Sequence, residues 1–119
     1  MPTYAYEFND QTAPQLFLPP VSFPYGAAHA SEIQYLFDLP AAFPQALNAD
    51  QQQLSDAMVG YWTRFARTGK PSARRAPRWP RFDVDSEMIS LLAPSPQVVR
   101  VNGFRGDHKC IFWDSVLGN

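Results

Sequence analysis

The chain contains one cysteine, Cys110, in 119 residues. No disulfide can form within it, and a metal site built from several thiolates is excluded. Histidine is almost as scarce, with only His29 and His108. No apolar run reaches the roughly 18 residues that suggest a membrane-spanning helix. The start, Met1-Pro2-Thr3-Tyr4, carries no basic-then-apolar leader pattern, an absence without meaning if these residues are a piece of a longer protein. Charge of one sign is missing too: net charge is −1 and the isoelectric point about 6.0, so bulk charge points to neither nucleic acid nor an anionic membrane. No serine is flanked as Gly-x-Ser-x-Gly, and there is no His-Gly-Gly-Gly loop, phosphate-binding glycine loop or dinucleotide fingerprint.

What is present is enough for one packed domain. Apolar residues make up 45% and aromatics 14%, outside the range of disordered chains. Proline is abundant, 12 residues, about twice average usage, which implies rigid, irregular connections. Seven basic residues (Arg64, Arg67, Lys70, Arg74, Arg75, Arg78 and Arg81) run without an intervening acid. A solvated helix end and loop is the ordinary reading of such a run.

Tyr4, Tyr6 and Phe8 alternate with Ala5 and Glu7, which predicts a strand over 4–8 ended by Asn9-Asp10. Residues 11–28 carry four prolines and read as a loop. Ser31 is placed to cap a short helix with Ile33, Leu36 and Phe37 on one face and Pro40 as its stop. Residues 38–47 read as a loop.

The strongest pattern covers 49–68. Leu54, Ala57, Met58, Tyr61, Trp62, Phe65 and Ala66 form one helical stripe. Asn48 and Gln51 have capping-box spacing, and Gly69 with Pro71 supplies the stop. Gly60, costly inside a helix, implies a close contact. After a Pro/Arg loop over 70–87, short strands are expected at Met88–Leu92 and Val98–Val101. Asp107 then caps a final helix whose face carries Cys110, Trp113 and Leu117. The order suggests α+β or part of an α/β fold. Strand 4–8 needs neighbours.

Candidate chemistry rests on His29, in Gly26-Ala27-Ala28-His29-Ala30-Ser31-Glu32. Small neighbours leave its ring room to face a cleft, and imidazole titrates near neutrality, as a general base requires. On these residues alone, a structural or surface histidine is the commoner reading. Glu32 could orient His29 or stabilise the following helix. His108 reads as an exposed residue. Neither histidine has metal-site spacing with other ligands, and no cofactor is implied.

Several segments together resemble the C-terminal part of type-B carboxylesterases, the group of para-nitrobenzyl esterases and cholinesterases. They are Tyr4–Phe8, the stretch Gly26–Phe37, Leu54–Met58, Tyr61-Trp62-Thr63-Arg64-Phe65-Ala66-Arg67-Thr68-Gly69-Lys70-Pro71, Pro77–Phe82 and Cys110–Trp113. The resemblance implies that residues 1–119 are the C-terminal portion of an α/β-hydrolase domain: main strand, histidine loop, long amphipathic helix, two short strands and C-terminal helix. It makes His29 the catalytic base and Glu32 a supporting glutamate. Serine, triad acid and oxyanion donors are not among these residues. The expected substrate is a small-molecule carboxylic ester, acted on when the remainder is present. Two alternatives stand beside this: a noncatalytic cholinesterase-like interaction module, and a truncated product with no function of its own. Without the body of such an enzyme, strand 4–8 and the Trp62/Phe65 stripe are left uncovered, and the chain should self-associate. Sedimentation at high concentration is expected to show association; a strict monomer would count against it.

Overall fold

The computed structural model describes residues 1–15, 18–38 and 47–118. In chain order its elements are β1 (Tyr6–Phe8), α1 (Ile33–Leu36), α2 (Ala49–Thr68), β2 (Met88–Leu92), β3 (Gln97–Arg100), α3 (Val101–Asp107) and α4 (Cys110–Leu117). Pro40 and most of the loop expected over 38–47 lie outside the described residues.

The α2 helix begins and ends where the sequence indicates. Asn48 Oδ1 accepts from the N–H groups of Asp50 and Gln51, both at 3.0 Å. The Gln51 side-chain oxygen accepts from Asn48 N–H at 3.0 Å, closing the capping box. At the other end Gly69 adopts φ +69°, and its N–H donates to Phe65 O at 2.7 Å. Leu54, Ala57, Met58 and Tyr61 are buried; full burial of a Leu or Met side chain contributes about 1.5–3 kcal/mol. The stripe then loses its cover, and Phe65 is 48% exposed. Length explains this. A helix of 20 residues runs about 30 Å, whereas three strand residues span about 10 Å. The last turns of α2 therefore run past the strand ladder, where Phe65 packs edge-on against Tyr4 at 5.9 Å. Gly60 marks the expected close approach: a β-carbon there would lie 2.8 Å from Ala73 Cβ. The same loop is tied down where Tyr61 OH donates to Pro77 O.

Strand 4–8 finds one neighbour among the described residues. β1 pairs parallel with β2 (Tyr6↔Ser90, Phe8↔Leu92), and β2 pairs antiparallel with β3 (Ile89↔Val99). The long connection carrying α2 serves as the crossover that a parallel pair requires. The order β1-β2-β3 leaves β1 at an edge. Ladder geometry starts at Tyr6, two residues later than the alternation suggests. Thr3 O accepts from Phe82 N–H at 2.9 Å, and Ala5 O accepts from both Ser90 N–H at 3.1 Å and the Trp79 indole at 3.0 Å. The tryptophan loop thus anchors the entry to β1. Tyr6 packs edge-on against Trp62 and Trp79 at 5.2 and 5.6 Å, and Phe8 against Tyr35 at 5.1 Å. The core lies between this face and α2, and includes Tyr35, Leu54, Met58, Tyr61, Trp79 and Leu92.

The C-terminal segment departs from expectation. Asp107 ends α3 instead of capping a last helix, and Lys109 at φ +53° separates α3 from α4. The sequence hides α3 because Gly103 and Gly106 are poor helix formers. The strand expected at Val98–Val101 is β3, set one residue earlier. On α4 no face is buried: Ile111, Phe112, Trp113, Val116 and Leu117 are all exposed. Arg105 joins the two helices through Asp114 at 2.9 Å, but an exposed pair contributes only about 0–1 kcal/mol. Among the described residues no helix is long and apolar enough to cross a membrane.

Candidate functional site

A carboxylate withdrawn from water must be hydrogen-bonded to compensate. Asp10, just beyond β1, is 1% exposed. Its Oδ1 accepts from Thr12 N–H at 2.9 Å and Thr12 Oγ1 at 2.8 Å. Its Oδ2 accepts from Tyr35 OH at 2.5 Å and Gln51 Nε2 at 3.0 Å. One side chain therefore joins the end of β1, the loop after it, α1 and the first turn of α2. Gln51 serves twice: its oxygen caps α2 while its nitrogen reaches Asp10 and, at 3.2 Å, Thr12 O. Burial alone pushes the Asp10 pKa up. The hydrogen bonds from Tyr35, Thr12 and Gln51 together outweigh burial and hold the carboxyl below its ordinary value. The Tyr35 hydroxyl is shifted strongly upward, by burial first and then by its bond to and charge repulsion from Asp10.

Tyr35 carries the histidine turn. Its hydroxyl is held by Asp10 and its carbonyl accepts from Ser55 Oγ of α2 at 2.8 Å. Upstream, Ser31 closes the turn around His29: its N–H and Oγ both donate to Ala28 O, at 3.1 and 2.7 Å. Gln34 Nε2 donates to Pro14 O at 2.8 Å and Ser31 O at 3.0 Å, and Gln15 Nε2 to Gly26 O at 3.3 Å. Ala30 takes the left-handed conformation, φ +69°, a costly one for a residue with a β-carbon.

Two sequence expectations are corrected here. Ser31 does not cap α1; Glu32 occupies that position without a side-chain cap, because the Ser31 hydroxyl is committed to Ala28. The expected packing face holds in part: Leu36 packs partly buried against the core, but the deepest residue of α1 is Tyr35 (1% exposed) and Phe37 is 65% exposed. The reason is polar: Asp10 draws Tyr35 inward, and α1 rotates to suit.

His29 is exposed in the turn, and among the described residues nothing hydrogen-bonds its ring. Glu32 is close in sequence, yet no hydrogen bond joins its carboxylate to His29. The loop leaves the carboxyl end of a parallel strand, the side of an α/β sheet where sites collect. A cavity of about 360 Å³ opens among Tyr4, Tyr6, Trp62, Phe65 and Trp79, away from His29. His108 is half exposed, as expected, but unexpectedly bonds Glu7 Oε1 at 2.8 Å and lies against Phe104. Among the described residues no cluster could hold a metal ion.

A family model described as "Carboxylesterase family" matches residues 1–113. The chain belongs to the carboxylesterase family. Carboxylesterase 4A of Bos taurus is 34% identical over 118 residues, covering 99% of this chain and 20% of that protein. Bile salt-activated lipase of Bos taurus is 49% identical over 47 residues, 40% of this chain and 8% of that protein. A solved PNB esterase superposes with TM-score 0.68 at 23% identity, over 91% of this chain and 21% of that one. The chain thus spans about a fifth of the length of carboxylesterase 4A and the PNB esterase. It shares the fold of the matching part of an α/β-hydrolase.

Within this carboxylesterase segment the sequence singles out His29 as a candidate, whereas the Asp10–Tyr35–Gln51 cluster is not legible in it. The one available signal was an aspartate directly after an aromatic strand.

The two shifts fix how stability depends on pH. The Asp10 pKa is lowered on folding, so its contribution is present above the ordinary value of 3.8 and lost as pH falls through the folded value. The Tyr35 pKa is raised, so its contribution is present below 10.0 and lost as pH rises above it. Unfolding midpoints against pH should show Asp10→Asn flattening the acid limb. Tyr35→Phe should flatten part of the alkaline limb, the rest remaining with Tyr61, whose pKa burial also raises. A Tyr35→Phe curve parallel to the parent above pH 10 would contradict this assignment.

Proposed function

We propose that this chain is the histidine-bearing C-terminal part of a serine carboxylic-ester hydrolase, with His29 as general base. The carrying observation is the placement of His29: an exposed ring on a hydrogen-bonded turn beyond the carboxyl end of a parallel strand. Family membership and likeness to carboxylesterase 4A and a PNB esterase support the same reading.

The proposed chemistry is acyl transfer in two halves. A serine outside these 119 residues attacks the ester carbonyl, and His29 takes the hydroxyl proton as the Oγ–C bond forms. The tetrahedral species collapses, the ester C–O bond breaks, and His29 returns the proton to the departing alcohol. In the second half His29 takes a proton from water as water attacks the acyl-enzyme. It then gives that proton to the serine oxygen, and the acid is released. Glu32 supports the histidine turn without being the triad acid. The substrate class is a small to medium carboxylic ester. Alone, the chain has a base without nucleophile or oxyanion donors, the groups that supply most of the rate, and it is inactive.

The exposed apolar surface of α4 and the exposed basic run from Arg64 to Arg81 favour a second reading, a contact surface on a noncatalytic module. The open edge of β1 and the uncovered Phe65 support self-association of the chain.

Two assays decide between the readings. The isolated chain should hydrolyse p-nitrophenyl acetate no faster than buffer; turnover abolished by His29→Ala would overturn the claim of inactivity. A chimera in which these residues replace the matching section of a PNB esterase should be active. His29→Ala should then lower kcat by at least about 10³-fold, and Glu32→Gln by much less. A chimera indifferent to His29→Ala would sink the assignment of the base.

A further inference from the structure

Most of the buried groups in this domain do one thing: they fill the core. Asp10 and Tyr35 do something more specific. Asp10 gathers four donors at two oxygens, and the Oδ2 pair comes from residues 25 and 41 positions away. Tyr35 is pinned at its hydroxyl by Asp10, at its carbonyl by Ser55, and at its ring by Phe8. Tyr35 is the one fully buried residue of α1, with Leu36 packed partly buried beside the same core, so Tyr35 is the main anchor of that helix. The helix is only four residues long and cannot hold itself together in water. The His29 turn is built directly on it: Ile33 N–H bonds Ala30 O at 3.3 Å, and Gln34 grips Ser31 O. The left-handed Ala30 beside His29 needs such external bracing to persist.

We infer that Asp10 and Tyr35 are positioning residues for His29, acting through α1 to fix where its imidazole stands at the end of β1. This rests on reading His29 as the base. Ser31, Gln34 and Gln15 brace the turn locally, but each bonds backbone of the loops themselves. The bonds at Tyr35 refer the turn to the framework: Ser55 ties its carbonyl to α2, and Asp10 ties its hydroxyl to both the end of β1 and α2.

The test uses the full chain labelled with ¹³C at histidine and observed by NMR at one fixed pH. There are two histidines, so His108 serves as an internal reference. Tyr35→Phe keeps the ring against Phe8 and deletes only the hydroxyl. Asp10→Asn turns an amide N–H₂ toward the Tyr35 and Gln51 donors, or else toward Thr12. Tyr61→Phe is the control, since it deletes another core tyrosine hydroxyl bond, to Pro77 O. The expected result is a displaced or doubled His29 signal in Tyr35→Phe and Asp10→Asn, with the His29 signal of Tyr61→Phe and the His108 signal of all three variants unmoved. Should Asp10→Asn fail to fold, Thr12→Val, which removes one donor from Oδ1, should shift His29 in the same direction by less than Tyr35→Phe. An unchanged His29 signal in Tyr35→Phe overturns the proposal, as does an equal change in Tyr61→Phe. The readout does not require turnover, so it separates from the catalytic reading. In the active chimera, Tyr35→Phe should lower kcat about 10- to 100-fold with KM little changed, the signature of a misplaced catalytic group. A chimera insensitive to His29→Ala would remove the positioning role even if the NMR coupling persists.

Discussion

Asp10 sits where water does not reach, and the rest of the described structure is arranged so that it can stay ionised there. Four hydrogen bonds converge on its carboxylate. A hydrogen bond to a charged group contributes about 1.5–3 kcal/mol, and losing one leaves a buried group uncompensated. Because the donors come from the loop after β1, from α1 and from α2, that requirement fixes three segments relative to one another. The apolar core alone is less discriminating: burial of Leu54 or Met58 drives α2 onto the sheet without dictating how α1 must lie against it. The carboxylate supplies the direction that hydrophobic packing lacks.

The contrast explains which parts of the fold were legible. The signals for α2 are all local: an apolar stripe at helical spacing, Asn48 with Gln51 at one end, and Gly69 at the other. Each is read from residues a few positions apart. β2 was equally local, a short apolar run between turns. Asp10 is a different kind of feature, because its Oδ2 partners lie 25 and 41 residues away, and no window along the chain contains all three. The same nonlocality hides part of the buried face of α1, a helix that itself stands where expected. Periodicity favoured Phe37 over Tyr35, while the buried acceptor that selects Tyr35 was invisible. Ser31 looked like a cap because serine before a helix usually is one; here its hydroxyl was needed one turn earlier, by Ala28. α3 was missed for the opposite reason, since its two glycines made a real helix look like a loop.

His29 illustrates what sequence and structure each contribute. Its residue type and small neighbours allowed a base but did not favour one over a surface histidine. The family pattern supplied the chemical expectation. The structure adds an exposed ring on a braced turn at the carboxyl end of a parallel strand, a placement that suits a group meant to meet partners from elsewhere. Glu32, three residues on, makes no hydrogen bond to the ring, and the braces it actually has come from Ser31, Gln34 and Gln15. The same chain exposes the edge of β1, Phe65 and the apolar residues of α4. Those surfaces and the absent nucleophile have a common meaning if this segment works as one part of a larger hydrolase body.

If the buried carboxylate organises the domain, then Asp10 and Tyr35 cannot act independently. Urea unfolding of the parent chain, Asp10→Asn, Tyr35→Phe and the double variant forms a complete cycle. A coupling energy of about 1–3 kcal/mol is expected, the range for residues sharing one buried hydrogen-bond network. Effects that add to within about 0.5 kcal/mol, as for distant sites, would contradict it.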